Sequence, residues 1–139
     1  MQKYIQRNPA SAVDIIVERE EKILLVKRRN EPFKDIWAIP GGYVEYNESL
    51  EDAAARELKE ETNLDVLSLT LLNNYSDPKR DPRGHVISHI YIAKTSGTLK
   101  AGDDAKELKL FPLYNLPSLA FDHSQIIKDY MVFRNKKWK

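Results

Sequence analysis

Residues 42–64 read GYVEYNESLEDAAARELKEETNL. From Ser49 to about Glu61 almost every residue is a good helix former. Asn47 or Ser49 is available as the N-cap, and Asn63 suits a left-handed stop. At about 100° per residue, Leu50, Ala53, Ala54 and Leu64 share one face with Glu57, Glu60 and Glu61. Glu51, Asp52, Ala55, Lys59 and Thr62 fall on the opposite, solvent side. Three carboxylates on an inward stripe repel one another and lose hydration, which costs several kcal/mol each unless a cation compensates. Two readings stay open: a solvated face of Glu–Lys and Glu–Arg pairs, or oxygen ligands for a hard divalent ion, Mg²⁺ or Mn²⁺. Pro40-Gly41-Gly42, just before, is expected to break the chain as a turn, with φ > 0 allowed at both glycines. A Gly41 or Gly42 carbonyl is then available as a further ligand.

Working outward, Ala12–Val17 and Lys22–Lys27 are aliphatic runs joined by the charged turn Glu18-Arg19-Glu20-Glu21, which predicts a strand pair. Trp37–Ile39 is a short third strand. Val66–Tyr75 and His85–Thr95 alternate well enough for strands and are separated by the Pro- and charge-rich loop SDPKRDPRG. Leu108–Leu113 is a last short strand, and Ser124–Phe133 a closing amphipathic helix. Strands, helix, strands, helix give an α+β chain or an αβα layered arrangement.

The chain has 139 residues, 42% hydrophobic and 31% charged, which suits one domain over 1–139. With 22 Lys plus Arg against 21 Asp plus Glu, bulk charge gives no reason to expect a nucleic-acid partner. There is no Cys, so disulfides, thiol catalysis and Cys-ligated zinc or iron–sulfur clusters are excluded. No apolar run approaches the roughly 20 residues needed to cross a bilayer, and the N-terminal stretch lacks the apolar core of a signal peptide. The expectation is a soluble, cytoplasmic protein without a membrane partner.

The 42–64 stretch resembles the Nudix box: Gly, five residues, Glu, seven residues, then Arg-Glu-aliphatic-x-Glu-Glu-x-Gly-aliphatic. Gly42, Glu48, Arg56, Glu57, Leu58, Glu60, Glu61 and Leu64 match, and Asn63 stands where the family has Gly. LLVKRR and WAIPGG upstream extend the likeness. The resemblance implies a Nudix-type αβα sandwich with a mixed sheet, its catalytic helix following the Gly-Gly turn. It also implies Mg²⁺-dependent attack of water on a nucleoside diphosphate linked to another group. Glu57, Glu60 and Glu61 would be metal ligands and catalytic, with Arg56 orienting a glutamate and Glu48 a cap or supporting partner. The general base would be Glu57 or a residue of the later loop GDDAKE, namely Asp103, Asp104 or Glu107, whose plainer reading is a solvated turn.

The opening NPASAVDIIV, Pro78, the loop YSDPKRDPRGHVIS and LAFDHSQII resemble the ADP-ribose pyrophosphatase branch, which implies cleavage of ADP-ribose to AMP and ribose 5-phosphate. Lys79, Arg80 and Arg83 then become clamps for a diphosphate or ribose, with Arg28 or Arg29 opposite; the plainer reading of the loop is a hairpin connection in which Asp81 and Arg83 serve turn and ion-pair roles. Trp37, Tyr75 and Phe33 are possible stacking surfaces for adenine or plain core aromatics. His85, His89 and His123 show no metal-ligand spacing, and at most one is expected near the site. The alternatives are a nucleoside triphosphate pyrophosphatase of the 8-oxo-dGTP type and a non-catalytic ADP-ribose sensor. Against the sensor stand the three box glutamates and the lack of room for a winged helix after Leu64. A homodimer is implied by the resemblance alone.

Overall fold

Three of the strands send alternate residues to two opposite cores, and that division builds the layers. In the computed structural model, which describes residues 7–102 and 105–137, β1 spans Ala10–Ile16, β2 Glu18–Arg19, β3 Lys22–Arg28, β4 Trp37–Ala38 and β5 Gly41–Tyr43. Helix α1 (Leu50–Thr62) follows, then β6 (Asp65–Tyr75), β7 (Val86–Ser96), β8 (Ala105–Pro112) and α2 (His123–Lys137). Val13, Ile15, Leu24, Tyr91 and Ala93 pack with Ala53, Ala54 and Leu58 of α1. Their neighbours Ile16, Ile23, Leu25 and Ile90 pack with Ile126, Ile127 and Tyr130 of α2. Successive strand side chains point to opposite faces, so one set of strands buries both helices.

One sheet is mixed, in the order β5-β1-β7-β6, with β1 parallel to β7 and the other pairs antiparallel. In the other, β3 pairs antiparallel with β2, β4 and β8. The predicted pairing of the first two aliphatic runs is therefore corrected, because β1 and β3 lie in different sheets. Glu20 and Glu21 both have positive φ (51° and 62°) and turn the chain from β2 directly into β3, as a tight hairpin requires.

The Gly-Gly turn is corrected too. Gly41 and Gly42 form strand β5 on β1, with Asp14 opposite Gly41 and Val13 opposite Gly42, and neither has positive φ. Close approach is what demands glycine here: a Cβ on Gly41 would lie 2.1 Å from the Val13 carbonyl oxygen.

Helix α1 starts at its Ser49 cap, whose hydroxyl accepts the Asp52 N–H at 3.1 Å, and ends at Asn63 with φ 68°. Its buried residues are Ala53, Ala54, Leu58 and Thr62. Thr62 is thus not on the solvent face: its hydroxyl donates to the Leu58 carbonyl at 2.6 Å and accepts the Leu64 N–H at 3.2 Å, which lets it be buried. The buried stripe runs through Ala54, Leu58 and Thr62, rotated from the predicted one. Among the described residues no helix is long and apolar enough to cross a membrane.

Candidate active site

A cavity of about 450 Å³ opens where β1, the end of β3, β5, α1, the 80–83 loop and the start of α2 meet. Glu57 and Glu61, one turn apart on α1, line it with Gly41, Gly42, Asp14 and His123. Arg28, Arg29, Arg80 and Arg83 line it as well, with Tyr43 and Phe121 among the aromatics. Carboxylates and arginines, distributed over the whole sequence, thus face one volume.

The carboxylate wall depends on the glycines. A Cβ on Gly42 would lie 2.4 Å from the Glu57 carboxyl carbon, so only glycine leaves room for that carboxylate. The Gly41 N–H donates to Glu61 Oε2 at 3.2 Å, so the contact seen from Gly41 is its amide rather than its carbonyl. Arg56 is the hub behind them. It donates to Glu48 at 2.6 and 2.8 Å, to Glu57 at 2.8 Å, to Glu60 at 3.2 Å and to the Tyr43 carbonyl at 3.0 Å. The bonds to Glu48, and after them those to Glu57, push the Arg56 pKa up against the opposing effect of burial, and Arg56 in turn holds the Glu48 carboxyl down at about 2.

Glu60 does not join the other two glutamates. Its side chain is 59% exposed, ion-paired with Arg56 and outside the cavity lining, because the buried stripe centres on Leu58 and turns Glu60 away. Among the described residues no three carboxylate or imidazole side chains form a ready cation cage. A two-carboxylate wall still suits a hard divalent ion, which is commonly held by one or two carboxylates with water and substrate phosphate completing the shell. The oxygen-only donors and the space left by Gly42 fit such an ion.

The arginines divide into two kinds. Arg80 is 5% exposed and locked to Asp122 at 2.7 Å. Arg83 bonds the buried Asp81 at 2.8 and 3.1 Å, and its guanidinium lies 5.2 Å from the Tyr43 ring and 5.4 Å from the Phe121 ring. Arg28 lies 5.0 Å from the same Phe121 ring and bonds the Pro32 carbonyl at 2.8 Å. Burial, then the charge of Arg83, lowers the Arg28 pKa. Two guanidiniums thus share one phenyl ring at the cavity wall, the charge of Arg83 offset by Asp81, while the bond from Arg28 goes to a backbone carbonyl. Arg29 lines the cavity with its guanidinium 3.5 Å from the Ala105 carbonyl.

Several expected residues lie elsewhere. Lys79 is exposed outside the lining. Trp37 packs edge-on against Phe111 at 4.8 Å within the α2-side core, so its indole is occupied. Tyr75 bonds Asp129 at 2.6 Å and belongs to the same core, while Phe33 packs against Phe121 with centroids 4.8 Å apart and rings tilted by 60°. Glu107 is exposed on β8, opposite Lys27, rather than in a loop. Asp103 and Asp104 lie outside the described residues. Of the histidines only His123 lines the cavity. Asp81 takes the turn and ion-pair role with Arg83 that the plainer reading of the loop gave it. Asp14, Tyr43 and Phe121 were not named by sequence reasoning as site residues; an acid interrupting the apolar run Val13–Val17 was the available signal for Asp14.

This arrangement resembles known proteins closely. The chain is 56% identical over 137 residues to the ADP-ribose pyrophosphatase of Methanocaldococcus jannaschii, covering 97% of this chain and 81% of that protein. The crystal structure of a MutT/nudix family protein from Enterococcus faecalis superposes with a TM-score of 0.81 at 34% identity, over 93% of this chain but only 63% of that one. The NUDIX domain of Shewanella oneidensis NrtR, solved in complex with ADP ribose, gives a TM-score of 0.81 at 29% identity over 91% and 88% of the two chains. The NUDIX domain family model matches residues 8–130, nearly the whole of the cavity-forming structure just described, and the chain belongs to the Nudix family.

Proposed function

We propose that the protein is a Nudix hydrolase that cleaves ADP-ribose to AMP and ribose 5-phosphate. The observation that carries the reading is the cavity itself, with Glu57 and Glu61 on one wall and the Arg28–Phe121–Arg83 stack also lining it. Members of the family act with divalent metal ions. Here Glu57 and Glu61 would hold the ion, with Mg²⁺ the proposed species and Mn²⁺ a substitute. When bound, it neutralises phosphate charge and activates water. Arg56 keeps Glu57 in place, and Glu48 keeps Arg56 in place. Arg28 and Arg83 hold the diphosphate by charge-assisted hydrogen bonds, while Tyr43 and Phe121 offer apolar faces to a base or ribose. Among the described base candidates, Glu57 lines the cavity and Glu107 does not.

The substrate reading is supported by the M. jannaschii relative, which is named an ADP-ribose pyrophosphatase, and by the NrtR domain seen with ADP ribose. A homodimer belongs to the same proposal: β6 is an edge strand with Leu67 and Leu71 exposed, a surface a second copy would cover. Light scattering tests it. A cytoplasmic setting without nucleic acid fits the Cys-free, nearly neutral chain.

Product analysis with Mg²⁺ decides the reaction. ADP-ribose, NADH, diadenosine polyphosphates, dGTP and 8-oxo-dGTP are compared, and AMP plus ribose 5-phosphate at the highest kcat/KM is the expected result. Pyrophosphate release from a triphosphate would replace the substrate reading. Tight binding of ADP-ribose with no turnover of any compound would make the domain a sensor.

A further inference from the structure

His123 opens α2 and is only 3% exposed, yet its imidazole reaches the cavity. Its Nδ1 accepts the Ile39 backbone N–H at 3.0 Å. That nitrogen therefore carries no proton, and the neutral ring bears its hydrogen on Nε2. Nε2 lies 4.0 Å from the Asp14 carboxylate, which also accepts the Ser88 hydroxyl. Ile39 itself is 2% exposed, so without the imidazole its buried N–H would lose this acceptor.

Ile39 leads into the segment that shapes the carboxylate wall. The next residue, Pro40, accepts the Ile15 N–H at 2.8 Å. Gly41 then donates to Glu61, and Gly42 packs directly against the Glu57 carboxylate. One continuous run of contacts joins His123 on α2, through Ile39 and the glycines, to both cavity glutamates on α1.

We infer that His123 is a positioning residue: by accepting the Ile39 N–H it fixes the 39–42 segment, and through that segment the placement of Glu57 and Glu61. The inference rests on reading those two glutamates as the divalent-ion site. Outer partners of this kind set the affinity of metal sites without touching the metal. The charges facing the ring are Asp14 from β1, Asp122 from the residue before it, Arg80 from the loop and Arg28 from β3. Burial keeps the ring neutral, so its acceptor remains available at neutral pH.

The test compares His123→Asn, whose side-chain oxygen reaches the Nδ1 position, with His123→Leu, which has no acceptor. Mn²⁺ binding without substrate is read by electron paramagnetic resonance of the free ion, beside kcat, KM for ADP-ribose and Tm. Nitrogen-15 spectra of the wild-type imidazole report the tautomer. The expected result is a wild-type Nε2–H ring, Mn²⁺ affinity and kcat both reduced about tenfold or more in His123→Leu, a smaller change in KM, and recovery in His123→Asn to within about threefold.

A folded His123→Leu protein with wild-type Mn²⁺ affinity overturns the inference, as does a wild-type ring protonated on Nδ1. If His123→Leu fails to fold, His123→Gln takes its place, since its longer amide points toward the Nε2 position and leaves Ile39 unserved. Equal behaviour of the Asn and Gln variants then counts against it. Loss of Mn²⁺ binding in Glu61→Gln but not in His123→Leu removes this inference alone. Undiminished binding in Glu61→Gln removes the carboxylate reading beneath it.

Discussion

The Arg80 guanidinium makes a two-point contact with the Asp122 carboxylate, Nη2 to Oδ1 at 2.7 Å and Nε to Oδ2 at 2.9 Å. Burial opposes the Arg80 charge, and the bonds and charge of Asp122 outweigh that opposition, leaving its pKa raised. The pair ties the 76–85 loop to the start of α2, so its first effect is on stability. Arg80→Ala should cost about 3 kcal/mol, the low end for breaking a buried pair because Asp122 is 26% exposed. Chemical denaturation of Arg80→Ala, Asp122→Asn and the double variant checks this, with the double costing less than the sum of the singles. Unchanged stability with a raised KM would instead make Arg80 a substrate contact.

Gly42→Ala directs its Cβ to within 2.4 Å of the Glu57 carboxyl carbon, the far end of a side chain that can move. The fold should survive while the carboxylate is displaced. Turnover is expected to fall about 100-fold, because about 1 Å of misplacement at a reacting centre costs that much. Gly41→Ala meets backbone at 2.1 Å and should show its effect in Tm. Near-normal kcat in Gly42→Ala would mean that Glu57 is not needed where it stands.

How far the sequence could be read depended on the range of the interaction. Ser49 and Asn63 bounded α1 because capping is local, and the aliphatic alternation placed the long strands. Strand β5 escaped because two glycines look like a break until β1 supplies its hydrogen-bonding partner. Counting the inward face from Leu50 and the alanines set the helix rotation wrongly, and Thr62 was counted as polar although it satisfies itself on the Leu58 carbonyl. Asp14, Phe121 and His123 meet only through parallel pairing of β1 with β7 and the approach of α2, which no local pattern encodes. Trp37 illustrates the same limit, since its sequence neighbours do not reveal that Phe111 covers it.

Glu61→Gln retains shape and an acceptor for the Gly41 N–H, while removing a charge from a wall that also holds Glu57. Metal-free stability should be equal or slightly higher, since like charges on one site repel. Metal-dependent turnover should fall about 100-fold or more, given the several kcal/mol that such an ion supplies. Thermal melts with and without Mg²⁺, beside initial rates, make the comparison. Near wild-type rates would show that Glu61 does not hold the ion.

Glu48 gives a pH signature. Hydrogen bonds from Arg56, then from the Glu45 N–H, hold its carboxyl at about 2 against an ordinary 4.5. Because the folded value is the lower one, the stabilisation is fully present above about pH 4.5 and is lost as pH falls through about 2. The Tm advantage of wild type over Glu48→Gln should be constant near neutrality, shrink below pH 4.5 and close near pH 2. A gap that persists into strong acid would assign the effect to packing rather than to charge.

Arg83 and Lys79 separate recognition from mere loop charge. Arg83 is held over Tyr43 and Phe121 with Arg28 on the same phenyl ring, whereas Lys79 is exposed outside the cavity. Removing Arg83 alone would strand the buried Asp81, so Arg83→Ala is combined with Asp81→Asn. The paired variant should raise KM for ADP-ribose about tenfold with a smaller change in kcat, as loss of binding common to ground and transition states does. Lys79→Ala should leave both parameters within about twofold, as surface changes usually do. Steady-state kinetics at two ionic strengths should show the Arg83 effect persisting at high salt, because bonds from a partly buried guanidinium resist screening more than those of an exposed lysine do. If Lys79→Ala raised KM and the Arg83 pair did not, the diphosphate would be held by the outer loop, and the Phe121 stack would be structural.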